Sequence, residues 1–112
     1  MTLISDTKTL IINCEVLRQS EFIAVDTEFM RDKTYWSQLC LVQLATPDLT
    51  IVIDALSPKL DIDPVLKIMA NNTIIKVFHS ARQDLEIFYK LMGALPAPIF
   101  DTQIAAMACG FG

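Results

Sequence analysis

The stretch FIAVDTEF, residues 22–29, runs four apolar residues into two carboxylates one residue apart and then closes on a second aromatic. Its first half reads as a buried strand. Side chains on a strand alternate between faces, so Asp26 and Glu28 fall on one side together with Phe22 and Ala24. Two like charges on one patch repel, and they are comfortable only where a proton is shared or a divalent cation lies between them. A hard-cation site is therefore one reading. The other is a pair of carboxylates hanging into solvent at a strand end, which for an isolated DxE is the commoner situation.

Downstream, Leu39–Ala45 and Ile51–Asp54 read as two more strands, joined by TPDLT, whose Pro47 and Asp48 suit a turn. With Phe22–Thr27 they make an expected antiparallel meander. Upstream, Ser5 or Asp6 caps a helix that presents Leu10, Cys14 and Leu17 on one face and ends near Arg18 to Ser20. After SPKLDIDP the pattern changes to alternating helix and strand: a helix from Pro64 to Ala70, a strand from Ile74 to Phe78, and a helix from Ser80 to about Met92. Gly93 stops that helix, ALPAP bridges, and a short strand at Ile99 and Phe100 precedes a helix in TQIAAMAC capped by Asp101. The sum is a mixed sheet flanked by helices, an α/β architecture.

A third carboxylate strengthens the cation reading. At about 100° per residue, the helix after Ser80 gathers Ala81, Leu85, Ile87, Phe88, Leu91 and Met92 into one apolar arc with Tyr89 at its edge. Asp84 falls inside the arc, between Leu91 and Phe88, while Arg82, Gln83, Glu86 and Lys90 fall on the opposite side. A buried carboxylate wants a partner. An aspartate favoured by the helix dipole would explain its position near the N-terminus but not its facing. Three carboxylates from a strand and a neighbouring helix suit Mg²⁺ or Mn²⁺, which take oxygen ligands and keep positions open for water and phosphate. A pair of such ions roughly 4 Å apart can orient a hydroxide for attack on phosphorus and stabilise the leaving oxygen.

Composition sets the outer limits. The 112 residues suffice for about one domain, and no repeat or linker marks an internal boundary. The 53% apolar content is high, yet no run approaches the ~20 residues that span a bilayer. The start lacks the layout of a secretory signal, so a soluble, cytoplasmic protein is expected. Cys14, Cys40 and Cys109 form no CxxC and are expected to be free and buried. With 13 acidic against 9 basic residues the chain cannot grip nucleic acid by a basic face alone, so a polyanionic substrate would need cations.

The segments FIAVDTEFMRDKTYWSQLCLVQLA, KVFHSARQDLEIF and IFDTQIAA together resemble ribonuclease D, of the DEDD exonuclease superfamily with a ribonuclease H-like fold, over essentially the whole chain. The resemblance implies that Asp26 and Glu28 belong to the first exonuclease motif and Asp84 to the second. It also implies that they hold two divalent ions, Mg²⁺ or Mn²⁺, with Asp26 bridging both, for removing nucleotides from RNA 3′ ends such as those of tRNA precursors. The family's third motif, a Tyr or His with the fourth metal-binding Asp four positions on, has no counterpart here, nor do the helical nucleic-acid-binding domains. Residues 1–112 are therefore expected to be a truncated part of the catalytic domain, with the last covering helices absent. As an isolated chain it is expected to cut weakly or not at all; the alternative to an enzyme is an inactive fragment or scaffold.

Other residues carry paired readings. His79 could meet the terminal nucleotide or its phosphate, or be a structural histidine. Phe29, Tyr35 and Trp36 could stack on bases of a single-stranded end or pack over the sheet edge. Arg31 and Lys33 could meet phosphates. Gln38 and Gln43 could serve the same cleft, Asp101 reads as a helix cap, and the five methionines read as core filler.

Overall fold

In the computed structural model, residues 2–31 and 37–110 are described. The chain order is β1 (Thr2–Ile4), α1 (Thr7–Leu17), β2 (Phe22–Arg31), β3 (Ser37–Ala45), β4 (Thr50–Asp54), α2 (Asp63–Ala70), β5 (Ile75–Phe78), α3 (Arg82–Met92), β6 (Ile99–Asp101) and α4 (Thr102–Ala108). One six-stranded sheet has the order β1-β4-β3-β2-β5-β6. The expected meander is present, since β2, β3 and β4 pair antiparallel in turn. The switch to helix–strand alternation produces the parallel half, in which β5 pairs with β2 and β6 with β5. The fold is thus the mixed sheet, an antiparallel meander plus parallel strands flanked by helices, expected from the sequence.

The strands β3 to β6 differ from expectation by one or two residues at an end, and two departures are larger. β2 runs on to Arg31, because Met30 and its neighbours stay paired to β3 past a bulge at Cys40, where Glu28 faces Leu41 and Phe29 faces Leu39. The short β1, too brief to show any periodicity, adds in parallel to β4. Of the two candidate caps for α1 it is Asp6 that acts, accepting from the Thr9 N–H at 2.9 Å.

The core lies between one face of the sheet and helices α1 to α3. Ile23 and Val25 of β2, Val42 and Leu44 of β3, and Ile51 and Ile53 of β4 are buried with Leu10, Leu17, Val65, Ile68 and Phe88 of the helices. Period-two alternation exposes the neighbours: Leu3, Phe22 and Ile75 are exposed apolar residues on the strands. Several expectations about the interior need correction. Only Cys14 is buried; Cys40 is intermediate and Cys109 exposed, although all three are free. Among the described methionines Met69 is buried and Met92 partly buried against the core, whereas Met30 and Met107 are exposed. Leu91, assigned to the apolar arc of α3, is 43% exposed, whereas Met92 beside it is partly buried against the core.

Lys76 went unnoticed in the sequence. It lies on the inward side of β5, fully buried, and its Nζ donates at 2.7 Å to the carbonyls of both Asn71 and Ala97. It joins the end of α2 to the segment leading into β6. Burial pushes its ammonium down to about 8. Lys76→Met keeps the stem but orphans two carbonyls, so a loss of about 1–3 kcal/mol is expected. The folded state binds a proton less readily than the unfolded chain between about 8 and the ordinary 10.5. Wild-type stability should therefore rise relative to Lys76→Met across that window, as read by urea unfolding at several pH values. A parallel pH dependence in the two proteins would contradict it.

Candidate active site

The parallel strands deliver their C-terminal ends to one edge of the sheet, the place where open α/β sheets assemble sites. β2 and β5 pair only from Phe22 with Ile75 to Ala24 with Val77. Beyond that level β2 continues through Asp26 and Glu28, while the chain after β5 turns at His79 and Ser80 into α3. The first turn of α3 carries Asp84.

Burial along β2 alternates as its sequence requires. Ile23, Val25 and Thr27 are buried; Phe22, Ala24, Asp26 and Glu28 are exposed on the other face. Asp84 is 9% exposed, on a helix anchored by Ile87 and by Phe88, whose ring meets Phe78 edge-on at 6.5 Å. Its facing into the apolar arc is thus as the helical wheel expects. Its hydrogen-bond partner is Thr27, whose hydroxyl donates to Asp84 Oδ1. The middle residue of the DTE triplet holds the third carboxylate from the inner face, and its two flanking carboxylates stand on the outer.

Burial raises the Asp84 carboxyl above its ordinary value; the charges of Asp26, Asp101 and Glu28 push the same way, and the Thr27 hydrogen bond opposes them. The three expected ligands are therefore electrostatic neighbours. Their oxygens are not drawn together: Asp26 Oδ1 accepts the Thr27 N–H at 3.0 Å, and among the described residues no three His, Cys, Asp or Glu side chains form a group that could hold a metal ion. The donor set nevertheless fits a hard divalent cation in its chemistry, being all carboxylate, with one member whose ionised form its neighbours disfavour.

The other expected residues divide. His79 is exposed and its Nδ1 lies 2.9 Å from Thr102 Oγ1. Thr102 donates its one proton to the Phe78 carbonyl at 3.2 Å, so His79 Nδ1 is assigned as the donor and Nε2 as the free acceptor. Phe29 is partly buried against the core. Gln43 lies opposite Asp26 in the sheet, and Gln38 opposite Met30. Lys33, Tyr35 and Trp36 lie outside the described residues, as does the side chain of Arg31. A groove of about 680 Å³ between α3 and α4, lined by Leu85, Tyr89 and Ile104 among others, does not include the three carboxylates.

A 3′-5′ exonuclease family model matches residues 1–112. The chain belongs to this 3′-5′ exonuclease family. It is 53% identical over 112 residues to a ribonuclease D from Bartonella henselae, covering all of this chain and 28% of that protein. Among solved structures, the fold matches Escherichia coli RNase D with a TM-score of 0.88 and 40% identity, covering 96% of this chain and 28% of that one. It also matches the catalytic core of RRP6 from Trypanosoma brucei with a TM-score of 0.89 and 28% identity, over 99% of this chain and 31% of the other. The chain thus spans about 28% of the length of the curated ribonuclease D relatives it matches.

Sequence reasoning missed Thr27, although alternation alone places it on the face opposite its two acidic neighbours and so toward whatever covers the sheet. The position of Asp84 implies a further expected outcome. A carboxyl whose folded value lies above its unfolded one stabilises the fold below its ordinary 3.8, and that contribution is lost as pH rises through the raised value. Once pH has passed the raised value the ionised group costs stability. Asp84→Asn keeps an acceptor for Thr27 and removes the charge, so in chelator-treated buffer its melting temperature should exceed wild type by a few degrees. Calorimetric scans showing an equal or lower midpoint would contradict this reading.

Proposed function

We propose that the chain carries the DxE part of a ribonuclease D-type catalytic domain, a metal-dependent exoribonuclease that shortens RNA from the 3′ end and releases nucleoside monophosphates. The observation that carries this reading is Asp84, a buried carboxylate held by the threonine between Asp26 and Glu28. Supporting it, the E. coli relative is described as an exoribonuclease involved in structured RNA processing. We assign the 3′ ends of tRNA precursors and other small RNAs as the substrate class, and the cytoplasm as the compartment. Among the described residues no helix is long and apolar enough to cross a membrane.

The family is generally dependent on divalent metal. Asp26, Glu28 and Asp84 would hold two ions, Mg²⁺ or Mn²⁺, with Asp26 shared. When bound, the ions would supply positive charge at the scissile phosphate and lower the pKa of the attacking water. This suits a chain of net charge −4, whose own surface would repel a polyanion. Thr27 fixes the orientation of Asp84, so that one carboxylate oxygen is committed within the protein. His79, with Nδ1 engaged by Thr102, presents Nε2 to solvent at the same strand edge, where it can accept a hydrogen bond from the terminal ribose. Phe29, Tyr35 and Trp36 are the proposed contacts to the terminal bases. The scaffold reading is less well supported, because the matched relatives carry an enzyme's name along the full extent of this chain.

Titration with Mn²⁺ tests the site. A cation that binds only the native state stabilises it by about 2.7 kcal/mol at a hundredfold excess over its dissociation constant. Wild type should show such a rise in melting temperature, and Asp26→Ala, Glu28→Ala and Asp84→Ala should each lose most of it. Uptake by the three variants equal to that of wild type would remove the assignment. Any trimming of 5′-labelled single-stranded RNA should give a ladder shortened from the 3′ end, and internal cuts would exclude an exonuclease.

A further inference from the structure

β6 ends on Asp101, which caps α4 as its position suggests: Oδ1 accepts from the N–H groups of Gln103 at 2.9 Å and Ile104 at 3.4 Å. The same carboxylate also reaches twenty residues back along the chain. Oδ2 accepts from the Ala81 N–H at 2.7 Å, and Oδ1 from the Ser80 N–H at 3.1 Å. Ala81 is the N-cap residue of α3, a helix that has no side-chain cap of its own. The orphan donors at the start of one helix are thus served by the cap of another.

The turn that Asp101 grips needs holding. Ser80 has φ 58°, the left-handed region, which costs a non-glycine residue about 1–2 kcal/mol. Such a conformation persists where surrounding contacts over-determine it. Asp84 stands three residues beyond Ala81, and the first turn of α3 closes by the Leu85 N–H donating to the Ala81 carbonyl at 2.8 Å. Displacing Ala81 therefore displaces Asp84 relative to Thr27.

We infer that Asp101 is a positioning residue for Asp84: one carboxylate clamps the N-termini of α3 and α4 together and, through Ala81, fixes the helical turn that presents Asp84 to β2. The consequence for cation binding rests on the proposed function of Asp84; the clamp itself does not.

The two oxygens allow a selective test. Asp101→Asn can keep its carbonyl on the Ser80, Gln103 and Ile104 side and set its NH₂ against the Ala81 N–H, preserving the α4 cap while breaking that of α3. Asp101→Ser is the second variant, a good cap for α4 that is too short to reach Ala81. Amide hydrogen exchange of the first turn of α3 is measured without metal, and Mn²⁺ affinity is then measured with Asp84 intact and in the Asp84→Asn background. Expected are faster exchange at Leu85 with α4 unchanged, and Mn²⁺ affinity about tenfold weaker with Asp84 intact. In the Asp84→Asn background the Asp101 change should add no further loss. Unchanged exchange at Leu85 in both variants overturns the clamp. Loosened exchange with equal loss of affinity in both backgrounds overturns the link to Asp84. A wild-type protein that takes up no Mn²⁺ refutes the proposed function instead, and the exchange result then decides the clamp alone.

Discussion

Everything at the candidate site follows from β2 having two different faces. It is a central strand with an antiparallel neighbour on one side and a parallel one on the other. Ile23 and Val25 anchor it to the helices, so its register is fixed by burial: a slip of one residue would carry Asp26 and Glu28 into the core and the two apolar side chains out of it. The strand therefore presents its carboxylates outward only because it is held inward. Thr27 belongs to the inward set, and its hydroxyl makes that face polar at the one place where α3 brings a carboxylate down onto the sheet. Thr27→Val would preserve the shape and leave Asp84 without this donor.

The sheet was legible because its signals are local and strong. Three apolar runs of strand length, one clear turn and a change to helix–strand alternation are enough to specify a meander followed by parallel strands. Asp84 was legible for a similar reason, since a single charge inside an apolar arc stands out on a helical wheel. What escaped were contacts between residues far apart in sequence. Thr27 and Lys76 look like ordinary strand residues until their partners arrive, fifty-seven positions away in the first case and twenty-one for Ala97 in the second. Asp101 was read correctly as a cap, and its second pair of donors was invisible because Ser80 and Ala81 have no side chain that signals them. Residue type also misled where packing decides: Leu91 and Met107 are apolar and yet exposed.

The two halves of the sheet are held together by different means. In the meander, β2 and β3 are long, and buried Val, Leu and Ile side chains line their inner face. β5 and β6 have four and three residues, and so offer few ladder hydrogen bonds. Polar ties supplement them: Lys76 binds the end of α2 to Ala97, and Asp101 binds the end of β6 to the start of α3. Such ties are directional, unlike apolar burial, and specify positions more sharply than they add stability. On the proposed reading of Asp84 as one of three ligands, directional contacts would position its carboxylate more sharply than a larger apolar surface would. On this argument the short strands are not a weakness of the parallel half. They end the regular ladder early, at the level where β2 passes into its acidic residues, and so leave room at the sheet edge for the start of α3 and the group it carries.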